Sequence, residues 1–243
     1  MIGSPTNKRR FTPADPVGSL VDADYNLLSF LSRFSLPLGF SDKTIKELCD
    51  ESGISTDIFL LVVNFALTGE IDPEKLERSS ASDIATFLLN SHHYYLNYKF
   101  PHIRANLIEA FDPAHADINP ILLSYFDRYI SKVENHFRYE EEVVFPYVGQ
   151  ISEGKSPQDY SIDHFTRRHD HEVEDSLDEM KNIIMRYYNT SIPYRMYDVL
   201  VDIFNCEEDL ALHSRIEDEM LVPRIKLLEK NLHKNSSDEA VKK

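Results

Sequence analysis

Two stretches decide the reading: HFRYEEEVVFP at 136–146 and HSRIEDEMLVP at 213–223. Both follow the pattern His-x3-Glu-x5-Pro, giving His136 with Glu140 and Pro146, and His213 with Glu217 and Pro223. On a helix, residues four apart lie about 40° apart around the axis and about 6 Å apart along it. Each His-Glu pair therefore projects from one face. A single pair of this kind is an ordinary solvated i,i+4 couple. Two copies with proline at the same offset are a constellation.

The neighbouring residues put both pairs on inward faces. A helix in a bundle buries a stripe with alternating spacings of three and four. Around the first pair the stripe reads Leu122, Phe126, Tyr129, Val133, His136, Glu140, Val143, Tyr147. Around the second it reads Met196, Val199, Ile203, Cys206, Leu210, His213, Glu217, Met220. Two further long segments carry stripes of their own. One reads Leu89, His93, Leu96, Phe100, Ile103, Leu107, Phe111; the other reads Phe165, His169, Val173, Ser176, Met180, Ile183, Tyr187. A carboxylate is very costly to bury without compensation. Four imidazoles and two carboxylates on converging faces are the donor set that two transition-metal ions take, with each glutamate able to bridge them. The expected ligands are His93, His136, Glu140, His169, His213 and Glu217. His92 and His171 are the competing positions, each beside the favoured residue but off its stripe. His102, His164 and His233 read as surface residues, and His115 falls in a connection.

Working outward, the four long helical segments span about 82–111, 118–149, 159–190 and 193–232, with breaks at Asp112-Pro113, Gly149, Gly154 and Pro157. Short connections between long helices indicate an antiparallel four-helix bundle. The fold class is therefore all-α: a bundle over 79–233, preceded by a small helical N-terminal domain over 18–78. An irregular arm at 1–17 and a tail at 234–243 complete the chain. Within the small domain, SLVDADYNLLSFLSRF, SDKTIKELCDESG and STDIFLLVVNFAL read as short helices, with Ser41 and Ser55 as N-caps. TIKELCDESGIS has the rhythm of a helix-turn-helix. The helix that would enter a groove, STDIFLLVVNFALTGE, carries no Lys or Arg, which argues against reading bases or phosphates.

Composition closes off other classes. The formal net charge of −15 opposes binding to nucleic acid or to an anionic membrane surface. Cys49 and Cys206 stand far apart in no CxxC pattern, which fits a reducing cytoplasm. The N-terminus has no apolar run of a secretory signal, and no stretch approaches the ~20 apolar residues of a membrane span. The acidic runs Glu140-Glu141-Glu142 and Glu207-Glu208-Asp209 read either as solvated faces or as cation-attracting groups, and the sequence does not choose.

From about residue 80 to about 230 the chain resembles the hemerythrin-like domain of the repair-of-iron-centres proteins. The segments that carry the likeness are HHYYLNYKFP (92–101), HFRYEEEVVFP (136–146), RHDHE (168–172) and HSRIEDEMLVP (213–223). The resemblance implies a cytoplasmic, carboxylate-bridged, non-haem di-iron protein of the nitrosative and oxidative stress response. Its clients would be proteins with damaged iron–sulfur clusters. It also implies the ligand set given above: His93 lies eight residues before the proline of its segment, and His169 is followed by Asp. A stoichiometric iron donor would not turn over as an enzyme. The alternatives on the same scaffold are an oxygen or nitric oxide carrier or sensor, and a nitric oxide or peroxide reductase. Family members often carry a Cys-Cys pair in the small N-terminal domain; the corresponding stretch here, SRFSLPLGFSDKTIKEL, has no cysteine.

Overall fold

Why the helices begin where they do can be read at their caps. Thr44 accepts from the Glu47 N–H, and the Glu47 carboxylate accepts from the Thr44 N–H, a reciprocal capping box that starts a helix at Ile45. Ser55 caps the next helix by accepting from Ile58 N–H. The cap expected at Ser41 is instead Thr44. Thr44 has glutamate three residues on, whereas Ser41 sits at φ +49° in the turn before it. Asp72 accepts from the N–H groups of Glu74 and Lys75 ahead of Pro73, and Ser80 accepts from Asp83 N–H.

The computed structural model describes residues 9–155, 157, 160–168 and 172–241, without the side chains of 168, 172–176, 233 and 235–241. The fold is all-α, and among the described residues the only β pairing is an isolated bridge between Pro16 and Thr44. Its α-helices are α1 Gly18–Ala23, α2 Leu27–Arg33, α3 Ile45–Ser52, α4 Thr56–Thr68, α5 Pro73–Arg78, α6 Ala81–Tyr94, α7 Phe100–Ala110, α8 Asn119–Tyr139, α9 Phe145–Ser152, α10 Ile162–Arg168, α11 Glu172–Tyr187, α12 Pro193–Ile216 and α13 Val222–Val241. Among the described residues no helix is long and apolar enough to cross a membrane.

The chain forms two compact units, each assembled from separate stretches of sequence. The first comprises residues 1–90, 148–159 and 215–243. Its centre is aromatic: Phe34 stacks on Phe87 at 4.6 Å and meets Phe59 edge-on at 5.1 Å. Each such fully buried ring stabilises the fold by about 1.5–3 kcal/mol. Nine of the thirteen residues of α4 are buried, so the helix that would have entered a groove is part of this core. The buried polar Asn64 on α4 is satisfied by the arm: Asn64 accepts from Phe11 N–H at 2.7 Å and donates to Phe11 O at 3.0 Å.

The second unit comprises residues 91–147 and 160–214. Its core joins Phe100, Ile103 and Leu107 of α7, Leu122, Phe126, Tyr129 and Val133 of α8, Leu177, Met180 and Ile184 of α11, and Met196, Val199 and Ile203 of α12. Asp112 ties two connections together at one end of the unit. It accepts from Ser191 N–H, the Ser191 hydroxyl, the Thr190 hydroxyl and Ala114 N–H, while Tyr188 donates to Asn119 and accepts from Asp112 N–H.

Three wide turns interrupt the long helices. Tyr95–Lys99, Glu140–Val144 and Glu217–Leu221 are π-helical, each closed at its end by a five-residue-back bond: Phe100 N–H to Tyr95 O, Phe145 N–H to Glu140 O, and Val222 N–H to Glu217 O. The residue after each donor is a proline: Pro101, Pro146 or Pro223. A proline inside a helix has no N–H, and its ring collides with the carbonyl four residues back. Widening the turn before it accommodates both effects and takes in one extra residue.

Candidate metal centre

The wide turns set the site. Phe137 at the end of α8 and Glu140 at the start of the wide turn are buried, and at the end of that turn the buried position is Val144 rather than the expected Val143. On α12, His213 and Ile216 are buried and the wide turn continues the stripe through Glu217, Met220 and Leu221. On α6 the effect falls on the histidines. Phe100, Ile103 and Leu107 keep the expected register, but the extra residue in Tyr95–Lys99 shifts everything before it by one place. The buried positions become Leu88, His92 and Tyr95. His93, the inward residue of an uninterrupted helix, is exposed, and His92 takes the interior position.

His92, Glu140, His213 and Glu217 converge. One ligand atom from each lies within 4.8 Å of all the others, and none of the four side chains is more than 2% exposed. His92 Nε2 is 3.1 Å from Glu140 Oε2, and His136 Nε2 is 3.2 Å from Glu140 Oε1. His136 is part-exposed and borders the cluster at Glu140. Of the six sequence-derived candidates, three therefore meet in the buried cluster, His136 adjoins it and His93 points away. His169 lies outside the described residues, as does its competitor His171.

Aromatic rings wall the imidazoles. His92 stacks on Phe137 with centroids 3.8 Å apart and planes 8° apart, and Phe145 lies 5.4 Å from it. His213 contacts Phe137 at 5.4 Å and Tyr95 edge-on at 5.9 Å. These walls keep water away and raise the cost of holding two like-charged carboxylates together. A cation held among them removes that cost, and imidazole nitrogen with carboxylate oxygen suits iron, zinc or manganese. The residues present thus fit a transition metal. Tyr95 occupies on its helix the place that Glu140 and Glu217 occupy on theirs, at the start of a wide turn and six residues before proline. The matching offset of Pro101 was the signal in the sequence that could have moved the histidine assignment from His93 to His92.

A comparison with curated proteins returns no match. Residues 85–225, more than half of the chain, match the model of the hemerythrin HHE cation-binding domain and span all four cluster residues. The chain is a member of the hemerythrin HHE cation-binding family.

Proposed function

We propose that this protein is a cytoplasmic di-iron protein of the stress response that restores damaged iron–sulfur clusters, acting as a stoichiometric donor of iron. The observation that carries the reading is the buried meeting of two carboxylates, Glu140 and Glu217, with two imidazoles, His92 and His213. His136 extends the donor set at its part-exposed edge, and His169 completes it on the sequence reading. Bound there, iron would supply redox chemistry and the metal that a damaged cluster lacks. The chain's own contribution is to hold nitrogen and oxygen donors in place, to exclude water with Phe137, Phe145 and Tyr95, and to offer His136 as a part-exposed donor beside the buried cluster. A site with a part-exposed edge can pass a metal on, which supports donation to client iron–sulfur proteins over permanent sequestration.

The test is anaerobic purification from iron-replete cells, metal counting, and mixing with a metal-free iron–sulfur protein. Two irons per chain and recovery of the client's cluster absorption are expected. Retained iron with reversible nitric oxide or oxygen binding and no client recovery would replace this reading with the carrier or sensor. Repeated turnover of nitric oxide or peroxide with an added electron donor would replace it with the reductase.

A further inference from the structure

The acidic run at 140–142 divides into three different roles. Glu140 is in the buried cluster and Glu142 is exposed. Glu141 lies between them, 35% exposed at the side chain, and its Oε1 is 2.9 Å from Nδ1 of the fully buried His92. The same imidazole presents Nε2 to Glu140 at 3.1 Å.

Stacking on Phe137 and Phe145 fixes the plane of the His92 ring but not which edge points inward. A half-turn about the Cβ–Cγ bond keeps the plane and replaces Nε2 with a carbon at the cluster. The contact with Glu141 distinguishes the two settings. An ionised carboxylate only accepts, so Nδ1 must carry the hydrogen. A neutral imidazole has a single N–H, so Nε2 then keeps its lone pair for a metal. We infer that Glu141 is a positioning residue: it holds His92 by an Nδ1–H···Oε1 bond so that Nε2 faces the metal centre. Carboxylates that orient ligating histidines in this way typically change metal affinity 10–100-fold. The inference rests on the metal-binding reading, because orientation of Nε2 matters only if Nε2 has something to bind.

The test uses the 243-residue chain, Co(II) as probe, and three variants. Glu141→Ala is expected to weaken Co(II) binding about 10–100-fold in chelator competition and to change the visible absorption of the bound ion. Glu141→Gln keeps an acceptor oxygen and should recover most of the affinity. Glu142→Ala removes the same charge from the adjacent exposed position and should bind as wild type. Equal losses in Glu141→Ala and Glu142→Ala would reduce the effect to net charge and overturn the inference. Wild-type affinity in Glu141→Ala would overturn it as well. In the metal-free protein, wild type should show a downfield, exchange-protected His92 Nδ1–H resonance that Glu141→Ala lacks. If wild type binds no Co(II), the metal reading fails, and this resonance still decides whether Glu141 holds the ring.

Discussion

His92 Nε2 and Glu140 Oε2 lie 3.1 Å apart with both side chains shut away from solvent, although 48 positions separate them in the chain. That contact joins the helix interrupted at Tyr95 to the helix interrupted at Glu140. It makes the two neighbouring histidines chemically unequal: His92→Ala should lower metal content or affinity at least about tenfold, and His93→Ala should leave both unchanged. Metal analysis after identical anaerobic purification measures the difference. Equal losses would show that the exposed His93 takes part.

Metal should also stabilise the fold. A ligand bound only by the native state adds about 2.7 kcal/mol when present at one hundred times its dissociation constant. For a chain of this size that raises the melting temperature by about 5–10 °C. Glu217→Gln keeps the side-chain volume but removes one of the two converging charges, and it should abolish most of the rise. Calorimetry with and without a chelator reads both effects.

The Asp112 latch predicts an acid dependence. Hydrogen bonds from Ser191 N–H, Ala114 N–H and the Ser191 hydroxyl hold its carboxyl well below the ordinary carboxylate range. A carboxylate depressed in the folded state stabilises above its unfolded value, about 4, and loses that contribution as pH falls below it. Asp112→Ala should therefore unfold at lower urea concentration than wild type at pH 7, and the two curves should converge as pH drops from about 4 towards 2. A gap that stays constant across that range would assign the loss to packing.

Burial pushes the Cys49 thiol up to about 11, and Cys206 is also buried. A thiol-specific reagent at pH 8 should modify neither residue until the chain unfolds, because the thiolate is the reactive form. Labelling should rise in step with the unfolding transition. Rapid modification of Cys49 in the native protein would contradict its enclosure.

Single-residue deletions on one helix give opposite outcomes according to place. Removing exposed Asn97, inside the wide turn, together with Pro101→Ala takes away the extra residue and the proline that the turn accommodates, and lets a regular α-helix run from Phe100 back to His92 with the ring still inward. Removing exposed Ala105, in the regular α7, turns everything before it by about 100° relative to Leu107. The first variant should keep its metal and the second should lose it, with far-UV circular dichroism reporting similar helix content. Loss in both would show that the wide turn is itself required.

Much of this was legible in the sequence because the signals are local. Asp112-Pro113 and Ser55 mark helix ends through backbone hydrogen bonding that one residue can supply. His213, Glu217 and Glu140 stand in the core where the helical stripe puts them, since each glutamate is the first residue of its wide turn and the register is still that of the helix before it. His92 was not legible by periodicity, because periodicity assumes one pitch throughout and the Tyr95–Lys99 turn breaks it. Glu141 could not be told from its acidic neighbours, because its partner is remote in sequence and only folding brings His92 to it.

The extra residue at 95–99 has a consequence for anyone aligning this chain with its relatives. A homologue whose first bundle helix is unbroken α would pair its inward histidine with His93 unless a one-residue gap is opened between Tyr95 and Lys99. Position-by-position transfer of a ligand without that gap would name the solvent-facing histidine and pass over the one in the interior.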